Sequence, residues 1–148
     1  MTIRRAGASD RIDVESIVNE YNAAIGVIVR DDPEALRRYW EGPGAFWVAL
    51  DGLEPIGCVA LRPLTAVAGN ACEVKRLYVR PSHRGRNVAD ALMDTLEDYA
   101  RRIGYDAIYL DTYDDLAAAI RLYERRGYER IERYNENPQA TVFMRLQL

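Results

Sequence analysis

Several things are scarce in these 148 residues, and each shortage narrows what the protein can be. Cysteine occurs twice, at Cys58 and Cys72, and no histidine or cysteine lies at zinc-ligand spacing from either. No metal is therefore predicted, and both thiols read as buried side chains of a reducing cytosol. Because both fall in neighbouring predicted strands, the sequence leaves their pairing open. Histidine occurs once, as His83, in a stretch better suited to anion binding than to general-base chemistry. Ser82 has no partner in sequence that would activate it as a nucleophile. No run of about 18 apolar residues exists, and the N-terminus Met-Thr-Ile-Arg-Arg lacks an apolar signal core. The expectation is a soluble, cytoplasmic protein without a membrane partner. Internal repeats, low-complexity segments and linkers are also missing, so a single domain spanning 1–148 is predicted.

Net charge is small overall, and positive charge is concentrated locally. A formal net charge of −3 and a pI near 5.3 argue against a nucleic-acid partner, because counterion release rewards a broadly basic face. Yet Val74 to Ala89 contains Lys75, Arg76, Arg80, Arg84 and Arg86, with His83 and no acid. That segment is +5, leaving −8 for the rest of the chain (−3 − 5). It runs from the apolar Leu77-Tyr78-Val79 through a Pro/Ser/Gly turn into a helix predicted to begin near Arg86. A loop that delivers backbone N–H groups to a helix N-terminus is an anion site, and phosphate is the first expectation. A solvated basic surface patch is the alternative. No Gly-Lys-Ser/Thr follows the loop, which speaks against a P-loop nucleotide binder.

Taken in order, Thr2 to Ala6 reads as a strand, and Ser9 or Asp10 as the N-cap of a helix with a stripe of Ile12, Ile17, Val18 and Tyr21. Asn22 to Val29 reads as a helix end or a loop over a cleft. Asp31-Asp32-Pro33-Glu34 opens a second helix carrying Leu36, Tyr39 and Trp40, ended by Gly42-Pro43-Gly44. The apolar runs Ala45 to Leu50 and Pro55 to Leu61 flank an Asp51-Gly52 turn and predict a hairpin, completed by Cys72 to Arg80 as a third strand. Val88, Leu92, Leu96, Tyr99 and Ile103 mark the apolar face of a long helix capped by Gly104. Ala107 to Leu110 predicts a strand, Asp114-Asp115 the cap of a fourth helix, and Tyr128 to Ile131 with Thr141 to Leu146 a final pair of strands. The pattern predicts one α+β domain with a central mixed sheet. The strand, helix, strand unit around the basic loop places that loop at the carboxyl edge of the sheet, where ligands bind in such folds.

These residues resemble the GNAT superfamily of acyl-CoA-dependent N-acetyltransferases. The resemblance rests on Arg84-Gly85-Arg86-Asn87-Val88-Ala89 between the fourth strand and the third helix, on the later Ala119-x-x-x-Tyr123-x-x-x-Gly127-Tyr128, and on the order of elements along nearly the whole chain. It implies an α/β/α layered mixed sheet of about seven strands with about four helices. It also implies acetyl-CoA as co-substrate, its pyrophosphate on the amides of Arg84, Gly85, Arg86, Asn87, Val88 and Ala89 and its pantetheine arm along Leu77, Tyr78 and Val79. Asn87 stands where the family usually has glycine, and asparagine is among the residues that best tolerate left-handed geometry. Leu116 stands where the family often has an asparagine that contacts the cofactor.

Direct acetyl transfer to an amine needs a group to take the ammonium proton, a stabiliser for the thioester oxygen and an acid for the departing thiolate. The resemblance implies Glu73 as the base and Tyr123 as the acid. A phenol of ordinary pKa near 10 is protonated at neutral pH. Alternatively, Glu73 is a strand glutamate paired with Lys75 or Arg76, and Tyr123 continues the apolar stripe of its helix. Acceptor pockets of this fold point to Tyr21, Arg30, Trp40 and Tyr134, with a small-molecule, amino-acid-like or peptide amine as partner and a homodimer left open. A non-catalytic acyl-CoA-binding sensor or partner-binding module is the alternative function.

Overall fold

The structure, a computed structural model, describes residues 1–26 and 33–148. Seven strands form one sheet: β1 (Thr2–Arg5), β2 (Ala45–Asp51), β3 (Glu54–Leu64), β4 (Ala71–Val79), β5 (Ala107–Thr112), β6 (Glu129–Ile131) and β7 (Val142–Gln147). Their spatial order is β1-β2-β3-β4-β5-β7-β6. Every pairing is antiparallel except β4 with β5, the two strands joined through the long helix after the basic loop. Among the described residues the α-helices are α1 (Arg11–Ile25), α2 (Pro33–Glu41), α3 (Val88–Ile103) and α4 (Ala117–Arg125). This is the layered mixed sheet that the motif resemblance implies.

The continuous apolar runs of β2 and β3 belong to central strands covered on both faces. Along β2, Phe46, Val48 and Leu50 join Val14, Ile17, Leu36 and Tyr39 in one apolar layer. Ala45, Trp47 and Ala49 join Val88, Leu92 and Leu96 in the other. Period-two alternation thus splits one strand between two helical layers, α1 and α2 on one side and α3 on the other.

Three local expectations are corrected. Ile12 is 80% exposed, because five residues before Ile17 is about 140° around the helix; the buried stripe is Val14, Ile17, Val18 and Asn22. Ile103, the last residue of α3, is exposed where the chain turns at Gly104. Neither aspartate of Asp114-Asp115 caps α4, whose N-cap is Leu116 without a side-chain bond. At the start of α1, a short 3₁₀ turn (Ala8–Asp10) intervenes, and Asp10 accepts from the N–H of Gly7 at 2.8 Å while pairing with Arg4. The expected cap at Asp31-Asp32 and the segment up to Val29 lie partly outside the described residues. Cys58 and Cys72 are both buried and unpaired with each other, and burial drives the Cys58 thiol pKa well upward and that of Cys72 up to about 12.

Candidate active site

β4 and β5 pair over only three residues, Ala71 with Ala107, Cys72 with Ile108 and Glu73 with Tyr109. Beyond that point β5 continues to pair with β7 as far as Thr112, so the two parallel strands part. The gap opens into a cavity of about 1120 Å³ that reaches both faces of the sheet. On one side lie Tyr21 and Ile25 of α1; on the other lie the basic loop, the start of α3 and Tyr123 of α4.

A bulge shapes the β4 wall. Cys58 faces Tyr78 and Ala60 faces Lys75, so two residues, Arg76 and Leu77, oppose Val59 alone. Arg76 takes a left-handed conformation, φ 59°, a strained choice for a residue with a Cβ. The extra residue flips the phase of the strand. Before it, Cys72 and Val74 face the α3 layer; after it, Val79 faces that layer and Tyr78 the α1 layer. Cys58 donates its S–H to the Arg76 carbonyl at 3.2 Å and so helps to hold the bulge. No sequence pattern announced this feature.

The basic loop is built for an anion. Helix α3 begins at Val88, two residues later than predicted, and its first backbone bond runs from Ala91 N–H to Asn87 carbonyl. Among the described residues, the N–H groups from Gly85 to Ala89 have no backbone partner, which leaves them to an external acceptor. Gly85 and Asn87 both have positive φ, 78° and 60°. The glycine site of the motif therefore does require left-handed geometry, and Asn87 supplies it. Gly57 lets the helix start approach the sheet, since a Cβ there would sit 2.9 Å from the Tyr78 carbonyl and 3.3 Å from Val88. We expect Asn87→Val to lose about 1–2 kcal/mol of stability, the usual cost of left-handed backbone, and to raise KM for acetyl-CoA. Asn87→Gly is expected to keep both, as denaturant melts and steady-state kinetics will show.

The loop's side chains divide. Gly85, Asn87, Val88 and Ala89 line the cavity with Leu77, Tyr78 and Val79, whereas Arg86 is exposed and does not. Arg84 lines it too, but its guanidinium donates to the Val79 carbonyl at 3.0 Å and stands over the Tyr78 ring, so it fixes the loop to the end of β4. His83 bonds Ser82 and Asp51 at the cavity edge.

Tyr123 is buried against Tyr128, ring edge to face at 5.7 Å, and lines the cavity. Its hydroxyl makes no hydrogen bond among the described residues, and burial raises its pKa well above that of a free phenol. Glu73 is different: it is fully buried, does not line the cavity and is saturated. Arg62 donates to its Oε1 at 2.8 Å, Lys75 stands 3.4 Å from the same oxygen, and the Tyr134 hydroxyl donates to Oε2 at 2.6 Å. The carboxylate that does line the cavity on this side is Asp111 of β5, held by Asn135 at 2.5 Å and by Lys75 at 3.5 Å. Reading the sequence missed Asp111. Its only signal was its place at the carboxyl end of a strand leading to α4.

Of the acceptor residues expected from sequence, Tyr21 lines the cavity, packed edge to face on Tyr78 beneath the Arg76 guanidinium. Tyr134 stands one step behind the wall, bonded to Glu73 and packed edge to face on Tyr109. Trp40 is corrected: it packs against the apolar layer under α1 and α2 and does not line the cavity. Arg30 lies outside the described residues.

A helix start with unpartnered amides, a strand bulge, parted parallel strands and a buried tyrosine thus meet on one cavity. The model of the Acetyltransferase (GNAT) family matches residues 14–128. The chain belongs to the GNAT acetyltransferase family. Similar proteins include an uncharacterized N-acetyltransferase of Schizosaccharomyces pombe, 36% identical over 94% of this chain and 89% of that protein. The N-acetyltransferase YjgM of Escherichia coli is 30% identical over 88% of this chain and 83% of its own length. In fold, the crystal structure of Arabidopsis thaliana NAA60 in complex with acetyl-CoA superposes with a TM-score of 0.79 at 21% identity, covering 99% of this chain and 98% of that one. GNAT membership makes the protein an acetyltransferase and acetyl-CoA its acetyl donor. The cavity residues fit that donor: the amides of Gly85 to Ala89, without backbone partners among the described residues, would meet the phosphates, and the parted strand edges would leave β4 open to an extended arm. Leu116, at the N-cap of α4, also lines the cavity.

Proposed function

We propose that this protein transfers the acetyl group of acetyl-CoA directly to a primary amine of a small molecule, an amino-acid-like compound or a peptide. The observation that carries the reading is the single cavity running from the free amides of Gly85 to Ala89 on one face of the sheet to Asp111 on the other, with Tyr123 between the two. The loop and the start of α3 hold the pyrophosphate, and the pantetheine arm follows Leu77 to Val79. The amine nitrogen attacks the thioester carbon. Charge developing on the thioester oxygen needs a hydrogen-bond donor, and the interruption of the β3–β4 register at Arg76-Leu77 brings the β4 backbone to the cavity where it can supply one. The carbon–sulfur bond breaks, and the leaving thiolate takes the Tyr123 phenol proton.

The amine proton needs an acceptor exposed to the cavity. Asp111 has that exposure and Glu73 does not, so we assign Asp111 as the base and Glu73 as the group that positions Lys75 and Tyr134. Asp111→Asn is expected to lower kcat/KM by about 100-fold or more, the usual scale of acid-base catalysis. Glu73→Gln, which keeps a hydrogen-bond acceptor, is expected to lower it less. The reverse ranking would return the base to Glu73. Release of CoA thiol across an amine panel, with Tyr123→Phe as control, tests the activity as a whole. Binding of acetyl-CoA without turnover on a broad panel would instead favour a sensor or partner-binding module.

A further inference from the structure

The acceptor end of the cavity carries a row of charges on three adjacent strands. From β5 across β4 to β3 the order is Asp111, Lys75, Glu73, Arg62, alternating in sign. Lys75 stands 3.5 Å from Asp111 and 3.4 Å from Glu73, and Arg62 is 2.8 Å from the same Glu73 oxygen. All four lie on the face of the sheet covered by α1. Register explains it: Glu73 sits opposite Arg62 on one side and Tyr109 on the other, and Asp111 is two residues beyond Tyr109.

Exposure sorts the row. Glu73 is fully buried and outside the cavity wall, so the cavity meets Asp111, then Lys75, then Arg62, whose side chain is 51% exposed. An entering molecule therefore meets Asp111, Lys75 and Arg62 side by side, in a row that is neutral as a whole because Glu73 pairs both cations from behind. Lys75 is the only lysine of the chain, a compact point charge placed where every other basic side chain is an arginine fork. Other charges lining the cavity include Arg76 over the Tyr21 ring, and Asp115 and Glu136, which are both exposed and screened by water. An acceptor with only a positive charge has Asp111 to pair with but leaves Lys75 and Arg62 unused. One with an ammonium and a carboxylate a few bonds apart places the first on Asp111 and Asn135 and the second on Lys75 and Arg62.

We propose that the acceptor is a small zwitterion, a free amino acid or similar amino carboxylate, selected by this Asp111, Lys75 and Arg62 row. The inference rests on the acetyltransferase reading and adds the acceptor's chemical class. A peptide N-terminus or a simple amine is the alternative, since neither offers the adjacent carboxylate.

The test compares matched acceptors: free L-amino acids, their carboxamides, the corresponding decarboxylated amines and short peptides. Thiol release gives kcat/KM for each, and titration calorimetry with the CoA-loaded protein gives binding without turnover. Free amino acids are expected to exceed their amides and amines by about tenfold or more in both measurements, the scale of one charge-assisted hydrogen bond. In Arg62→Gln that margin is expected to shrink while acetyl-CoA affinity holds. Equal or better use of the amides, amines or peptides overturns the proposal. So does binding that ignores the carboxylate, or no binding of the free amino acids at all. If amino acids bind CoA-loaded protein preferentially but nothing turns over, the acetyltransferase reading fails and the recognition stands.

Discussion

Tyr123→Phe is expected to lower kcat by about 100- to 10,000-fold, the range over which a positioned acid contributes, while KM for acetyl-CoA stays close to that of the unaltered protein. The substitution removes one oxygen that bonds nothing else among the described residues and keeps the ring on Tyr128 and in the apolar layer. The fold should survive it, because volume and apolar contacts are conserved. A purely structural Tyr123 would give a stability change and an unaltered kcat. The sign of the pKa shift adds a second check. Burial raises the Tyr123 pKa above the usual 10, and the acid is the protonated form. No alkaline limb from this group should appear in kcat below about pH 10. Above that pH the unfolded chain ionises first, so the same shift subtracts from stability as pH rises. A bell-shaped kcat profile falling between pH 8 and 9 that disappears in Tyr123→Phe would contradict the placement.

Arg126→Met is expected to cost about 3–5 kcal/mol of stability, the loss typical when one partner of a buried ion pair is removed. The guanidinium lies just past the end of α4 and grips α3. Nε and Nη2 meet both oxygens of Glu97 at 2.9 and 3.1 Å, Nη1 meets Asp90 at 3.0 Å, and Nη2 meets Asp94 at 2.5 Å. Glu97 is only 5% exposed. Without Arg126 its remaining partner is the Tyr128 hydroxyl at 3.3 Å. The position favours arginine because one planar fork serves three carboxylates at once. Arg126→Lys should therefore recover only part of the loss. Denaturant midpoints at unchanged m-value measure the effect. Because α4 carries Tyr123, kcat should fall in Arg126→Met even at temperatures where the variant is folded.

The two predictions draw on different kinds of information. Tyr123 was visible in the chain, since Ala119-x-x-x-Tyr123-x-x-x-Gly127-Tyr128 is a local pattern on one helix. The Arg126 clasp was not: its partners are 29 to 36 residues away on α3, and each reads alone as an ordinary charge on an exposed face. Similarly, the conformation of the basic loop was legible because everything it needs is consecutive. Gly85 and Asn87 supply left-handed backbone, and the periodic run from Val88 supplies the helix whose first amides stay free. The proposed exchange of Glu73 for Asp111 as base could not be read from the chain: both lie on the face covered by α1, and what separates them is the Arg62, Lys75 and Tyr134 contacts that close over Glu73. Alternation along a strand assigns a face without saying which residues on it are open. The Arg76-Leu77 bulge then reverses that alternation halfway along β4.

By itself the sequence determined the order of elements, the place of the basic loop before α3 and the candidate acid. Each depends on neighbours within a few residues, where hydrophobic period, turn chemistry and helix capping act. Tertiary structure alone decided where β4 and β5 part, which carboxylate faces the gap, and how Asp111, Lys75, Glu73 and Arg62 form one alternating row. Those are relations between strands brought together by register, and register is set by the packing of both layers at once.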